Sequence, residues 1–270
     1  MLRPMKPHTF IAIIPARYAS TRFPGKPLAL LGGQPIIRRV YEQVSRVFND
    51  VLVATDDERI LQCVESFGGR AVMTGSHHRS GTDRCYEAYV KSGSSADIVV
   101  NVQGDEPFIQ AEQLEAVMQC FQSDNCDIAT LVKPFTEADG WEALNNPNSP
   151  KVVVSPQQTA LYFSRSVIPY LRGVEQKDWL KKHTFYKHIG LYAYRAEVLQ
   201  RLTSMTPTPL ELAESLEQLR WLENECTIRV ACTEHETIGI DTPDDLRRAE
   251  IFLQAKGLTH SHENSSVPSL

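Results

Sequence analysis

Short runs of apolar, β-branched residues alternate with stretches of helical spacing through the first half of the chain. This alternation narrows the fold more than any other feature. Residues 10–14 form a compact run closed by Pro15, residues 51–54 and 98–102 form two more, and Ala71–Met73 a shorter one. Between them Ile36, Ile37, Val40, Val44 and Val47 recur at the spacing of one helix face. Ile60, Leu61, Val64 and Phe67 do the same before Gly68-Gly69. Further helices are read over 82–91 and 110–122, and 127–132 returns to strand. The alternation predicts an α/β chain whose mostly parallel sheet carries helices on both faces.

The second half is less regular. Residues 141–150 hold three Asn and two Pro and read as a loop. Residues 152–155 and 160–163 read as an antiparallel pair, and 164–186 as a mixed polar segment serving as a lid or subunit contact. Residues 187–194 read as a strand. Leu212, Leu216, Leu219 and Leu222 place one apolar stripe on a helix begun near Pro209. Residues 227–231 read as strand, and Thr242-Pro243 as an N-cap followed by proline at the first helical position. One domain is expected over 1–257, with the Ser- and His-rich residues 258–270 as a flexible tail.

Composition removes several classes. Lys and Arg number 28 against 33 Asp and Glu, a net charge of −5 with no basic stripe, which argues against a nucleic-acid partner. The six cysteines include no Cys-x-x-Cys and read as buried free thiols. No apolar run is long enough to span a bilayer, and the first residues lack a leader's apolar stretch, so a cytoplasmic location is expected.

Three segments carry chemistry. The loop after the first strand, Pro15-Ala16-Arg17-Tyr18-Ala19-Ser20-Thr21-Arg22-Phe23-Pro24-Gly25-Lys26, gathers three cations among small residues. In an open α/β sheet, ligands bind beyond the carboxyl ends of strands. Fixed cations and backbone amides there suit a triphosphate, although a solvated basic loop would read the same. The loop has neither Walker nor dinucleotide glycine spacing. Gln103-Gly104-Asp105-Glu106 follows a buried strand and sets Asp105 where a carboxylate can hold Mg²⁺, or merely cap a turn. Asp241, ahead of a capped helix, is a second candidate ligand, or a turn residue.

Other candidates are individually weak. Ser80 and Thr82 sit where a helix cap is the default reading. Arg165 follows a strand, and His188 and Tyr192 share a strand face. Glu217 and Gln218 lie on the leucine-striped helix.

In combination these motifs are specific. Residues 15–28, Ala54-Thr55-Asp56, Ser80-Gly81-Thr82, Asn101-Val102-Gln103-Gly104-Asp105-Glu106-Pro107, Lys151-Val152-Val153, Tyr162-Phe163-Ser164-Arg165, His188-Ile189-Gly190, Glu217-Gln218-Leu219-Arg220 and Asp241-Thr242-Pro243 occur in order. The chain thereby resembles the 3-deoxy-manno-octulosonate (Kdo) cytidylyltransferases from residue 10 to about 253. The resemblance implies a Rossmann-like nucleotidyltransferase fold with an antiparallel dimerisation arm, and a homodimer. It implies transfer of CMP from CTP to the anomeric hydroxyl of Kdo, with release of pyrophosphate, for lipopolysaccharide synthesis.

The resemblance implies these roles for the matched positions. Arg17, Arg22 and Lys26 handle the CTP phosphates. Ala16, Ala54, Thr55, Ser80 and Thr82 lie near cytosine and ribose. Asp105 and Asp241 bind Mg²⁺. Gln103, Arg165, His188, Tyr192, Glu217 and Gln218 form the sugar-acid pocket, with Arg165 holding the carboxylate. Arg79 stands where the family pattern has Gln, and Asp83 where it has Glu. Residues 173–184 and those beyond 257 do not align. Competing readings are transfer to sialic acid or an 8-amino Kdo, and a non-catalytic nucleotide-binding regulator. An oxidoreductase reading lacks its glycine fingerprint.

Overall fold

The computed structural model describes residues 8–123, 125–236 and 238–256. Its strands are β1 (Phe10–Ala16), β2 (Leu30–Leu31), β3 (Gln34–Pro35), β4 (Val51–Thr55), β5 (Ala71–Met73), β6 (Ile98–Asn101), β7 (Ile128–Pro134), β8 (Lys151–Val154), β9 (Ala160–Ser164), β10 (Tyr186–Arg195) and β11 (Ile228–Cys232). The helices are α1 (Ile36–Val44), α2 (Glu58–Ser66), α3 (Gly81–Ser92), α4 (Ala111–Gln119), α5 (Gly140–Asn145), α6 (Trp179–Lys182), α7 (Ala196–Thr203), α8 (Pro209–Glu214), α9 (Glu217–Glu223) and α10 (Pro243–Ala255).

The main sheet runs β11-β7-β10-β6-β1-β4-β5, and β2-β3 is a separate hairpin. β1 lies parallel to β4 and β6, β4 to β5, and β11 to β7. β10 runs against its neighbours β6 and β7. Helices cover both faces. α1, α2, α4 and α10 close one core with Ile14, Val40, Val64, Leu114 and Leu253. α3, α7 and α9 close the other with Ile13, Cys85, Leu199 and Trp221. Residues 11–14 are wholly buried because alternate side chains enter opposite cores. Ile13→Ala would cost about 2–5 kcal/mol. The carboxyl ends of β1, β4, β5, β6 and β7 share one sheet edge, and the loops bearing the cations and Asp105 leave from it.

The second half departs from the sequence reading in three places. Residues 140–145 are helix α5, not loop, because Leu144 and Trp141 pack with Trp179 and Phe185 in a small third core. That same core organises part of the segment read as mixed and polar. The Leu stripe is not one helix: Ser215 adopts a left-handed conformation (φ +51°) between α8 and α9, and Leu212 is 69% exposed. Cys232 is exposed, whereas Cys85, Cys126 and Cys226 are buried thiols. The β8–β9 pair is antiparallel as read, and joins the sheet through β10. Residues 258–270 lie outside the described residues.

Candidate active site

The loop after β1 is organised around Tyr18. Its carbonyl accepts from the amides of Ser20 (3.0 Å) and Gly25 (2.9 Å), and its ring carries the Arg59 guanidinium 3.4 Å above the centroid. Gly25 has φ +71°, and a Cβ there would lie 3.0 Å from that ring. The tight turn delivers Lys26 beneath the loop. Its Nζ donates to Asp105 Oδ2 at 2.5 Å and to Asp241 Oδ1 at 3.1 Å. Arg22 Nη2 lies 3.2 Å from Asp241 Oδ2.

Two carboxylates far apart in sequence meet there for identifiable reasons. The Val102 amide extends the β6 ladder onto the Ile13 carbonyl, and Gly104 then passes so close to β1 that a Cβ would stand 2.7 Å from the Pro15 oxygen. Asp105 is thereby turned beside the β1 loop. Its carbonyl accepts from the Ile240 amide at 2.9 Å, and Ile240 is wholly buried. Thr242 caps α10 by accepting from the Asp245 amide, while Asp245 accepts from Thr242 in return. Burial opposes ionisation of Asp245, but hydrogen bonds from Thr242 and Arg248 and the Asp241 and Thr242 amides hold its pKa near about 2. The cap residues are therefore Thr242 and Asp245, and Asp241 faces the cleft.

The cleft has a volume of about 370 Å³. Its walls are the β1 loop (Ala16, Arg17, Arg22, Lys26), the loop entering α3 (His78, Arg79, Ser80, Gly81), and Gln103, Asp105 and Asp241. Arg17 is exposed and has no ion pair among the described residues. Ser80 caps α3 by accepting from the Asp83 amide at 3.2 Å, as the default reading had it.

The sugar-side candidates form a second group next to this cleft. Thr82 is buried, and its hydroxyl donates to Glu217 Oε2 at 3.0 Å rather than facing the cleft. Arg220 holds the other Glu217 oxygen at 3.0 Å. Desolvation raises the Glu217 pKa. His188 and Tyr192 do share a face, with rings 5.3 Å apart, because β10 carries two extra residues, Gly190 and Leu191, opposite consecutive Leu131 and Thr130. His188 Nε2 pairs with Thr130 Oγ1 at 3.0 Å, and burial lowers its pKa to about 4. The Tyr192 hydroxyl and Gln218 Nε2 are buried with no hydrogen-bond partner among the described residues.

Some residues stand elsewhere. Ala54 and Thr55 are wholly buried in β4 and do not line the cleft. The Arg165 guanidinium donates to the carbonyls of Glu214 (2.6 Å), Pro147 (2.9 Å) and Ser215 (3.2 Å), so it braces the α8–α9 corner. Gln103, by contrast, is in the cleft wall, and its Nε2 donates to Asn101 Oδ1 at 3.5 Å.

Sequence reasoning missed Arg84, a buried cation in the cleft wall whose guanidinium donates to Thr74 Oγ1 (2.6 Å) and Asp56 Oδ2 (2.9 Å). Its signal was a charge on the inward face of α3, beside Cys85 and Ala88.

The carboxylate pair suits a hard cation. Both oxygens already converge on one ammonium, and no cluster of three or more His, Cys, Asp or Glu that would cage a metal occurs among the described residues. Two carboxylates completed by phosphate oxygens and water match the habit of Mg²⁺.

Comparison with known proteins agrees with this geometry. The cytidylyltransferase family model matches residues 11–234. The 3-deoxy-manno-octulosonate cytidylyltransferase of Phocaeicola vulgatus is 67% identical over 92% of this chain and 98% of its own length. That of Porphyromonas gingivalis is 55% identical over 92% and 98%. A solved CMP:2-keto-3-deoxy-manno-octonic acid synthetase, complexed with CTP, superposes with a TM-score of 0.84 at 41% identity, covering 92% of this chain and 99% of that one. A 4-diphosphocytidyl-2C-methyl-D-erythritol synthase from Anaerococcus prevotii shares only the fold, with a TM-score of 0.56 at 16% identity. With the motifs in order, the sheet superposed and the relatives matched nearly end to end, this chain belongs to the 3-deoxy-manno-octulosonate cytidylyltransferase family.

Proposed function

We propose that this protein transfers CMP from CTP to the anomeric hydroxyl of Kdo, releasing pyrophosphate and forming CMP-Kdo. The observation that carries the reading is the meeting of Asp105, Asp241, Lys26 and Arg22 at the carboxyl edge of the sheet. The CTP complex of a relative with the same fold supports it.

The triphosphate lies along the β1 loop, where Arg17, Arg22 and Lys26 neutralise the charge that grows on the departing pyrophosphate. Mg²⁺ held by Asp105 and Asp241 would supply Lewis-acid polarisation of the α-phosphate and a lower pKa for the attacking hydroxyl. Lys26 exchanges its carboxylate partners for phosphate oxygens when the nucleotide enters. Positioning does the remainder. Glu217, fixed by Thr82 and Arg220, and the unpartnered Tyr192 hydroxyl and Gln218 amide offer directed hydrogen bonds to sugar hydroxyls. His188, kept neutral near pH 7, offers shape and one ring nitrogen. Arg165 contributes by holding the corner that presents Glu217, which leaves guanidinium N–H groups for the sugar carboxylate.

The protein is proposed to act in the cytoplasm as a homodimer, with β8–β9 as its arm. Among the described residues no helix is long and apolar enough to cross a membrane.

The test is pyrophosphate release with CTP and Mg²⁺, offered Kdo, an 8-amino Kdo and sialic acid in parallel. Release with Kdo is the expected result. Release only with another acid sugar replaces the substrate, and none with any of the three favours a nucleotide-binding regulator.

A further inference from the structure

The loop between β5 and α3 contributes His78, Arg79 and Ser80 to the cleft wall. With the triphosphate proposed along the β1 loop, this wall is the one left for the nucleoside. Nothing in residues 75–79 fixes that loop by regular secondary structure. It is held instead from one face of α3. Glu87 Oε2 accepts from the Gly75 amide at 2.9 Å and also meets His78 Nε2. Glu87 Oε1 is held by Lys91 at 2.6 Å, and Lys91 Nζ donates to the Met73 carbonyl at 2.9 Å. His78 is largely buried by this contact, and its ring lies 4.5 Å from that of His77.

We infer that Glu87 is a positioning residue for nucleoside recognition: it fixes the first and fourth residues of the loop, Gly75 and His78, and so sets the base-side wall of the cleft. The inference rests on the reading of the cleft as a CTP site. Geometry carries it. One carboxylate oxygen joins a backbone amide and an imidazole three residues apart, which defines the loop's curvature, and α3 is rigidly docked through Cys85 and Ala88. Burial works against the charge of Glu87, but the bonds from Lys91, His78 and the Gly75 amide hold its pKa near about 2, so it stays an ionised acceptor across the working range of pH. Glu87 lies outside the cleft wall, so it acts through the loop rather than by touching the nucleotide.

The experiment measures CTP and UTP binding by calorimetry, and steady-state kinetics, for wild type, Glu87→Gln, Glu87→Ala, His78→Gln and the Glu87→Gln/His78→Gln double variant. Glu87→Ala is expected to weaken CTP binding about tenfold, the scale on which supporting contacts act. It should narrow the CTP-over-UTP preference, while kcat at saturating CTP and KM for Kdo stay within about twofold. Glu87→Gln should recover part of the loss, and the double variant should be no worse than the poorer single. A thermal melt reports folding, and if Glu87→Ala does not fold, Glu87→Gln decides. Unchanged CTP binding in a folded Glu87 variant, or fully additive losses in the double, would overturn the inference. Failure of wild type to bind CTP would instead overturn the function it rests on.

Discussion

At one end of the cleft Arg22, Lys26, Asp105 and Asp241 meet on loops in partial contact with water. In the second group, beside the cleft, His188, Tyr192 and Gln218 stand on a strand and a helix among the rings of Phe163, Tyr194 and Trp221. The first end is held by charge. Arg22 and Asp241 are 65% and 48% exposed at their side chains, so their pairing contributes little to stability and is free to rearrange around a polyanion. The second end is held by packing, and its polar atoms are few and partly unpartnered. An ion-rich end serves a reaction in which charge moves. Under the proposed function, a dry, shaped end serves selection of one sugar by its hydroxyls. The difference teaches that substitutions at the first end should lower turnover and leave the fold intact, whereas those at the second should act on sugar affinity.

The largest expected effect tests the ionic end. Asp105→Asn or Asp241→Asn should lower kcat by about 10²–10³-fold with an unchanged thermal midpoint. Chelation of divalent ions should abolish wild-type pyrophosphate release, and added Mg²⁺ should restore it. Turnover by Asp105→Asn at the wild-type rate breaks the comparison at its first term.

Next in size is Glu217→Gln. It removes the charge of an acceptor that Thr82 and Arg220 position, and should raise KM for Kdo about tenfold or more while KM for CTP holds. Parallel increases in both constants would merge the two ends into one. Tyr192→Phe is smaller. Its hydroxyl has no partner among the described residues, so the variant should fold at least as stably as wild type while KM for Kdo rises a few-fold. A large loss of stability would show that the hydroxyl is structural.

The smallest effect is a pH dependence of stability. The unfolded imidazole of His188 takes up a proton near pH 6.5, the folded one only near about 4. Between those values the unfolded chain binds more protons, so stability falls as pH drops through that window and is untouched above it. His188→Gln should flatten the slope in denaturant melts taken from pH 7 to pH 4. An identical slope in both proteins assigns the acid sensitivity elsewhere.

Much of the fold was legible because β1 is apolar, β4 and β6 are apolar up to their last residues, Thr55 and Asn101, and their helices are amphipathic, signals that need no tertiary information. Asp105 and the cations were legible for a related reason: loops at strand ends expose their chemistry in the residue types themselves. The α8–α9 break was not. Its leucines keep helical spacing across Ser215, and only Arg165, reaching the Glu214 and Ser215 carbonyls from β9, shows why the helix turns there. Helix α5 was hidden for the opposite reason, since its Asn- and Pro-rich flanks outweighed Trp141 and Leu144, whose partners lie some forty residues on. Thr82 was read as a neighbour of the base, and only its bond to Glu217 shows which group it serves. Arg84 and Glu87 look like ordinary helix charges until the loop they hold is folded beside them.

The bond from the Ile240 amide to the Asp105 carbonyl has a consequence for how the protein becomes competent during synthesis. A nascent chain can assemble β1, β4, β5 and β6, and with them the cationic loop and Asp105, long before residue 241 leaves the ribosome. Until α10 docks, that chain holds half of its carboxylate pair. Docking of α10 therefore completes the carboxylate pair, and a product terminated before residue 241 would carry the cationic loop and Asp105 without their partner.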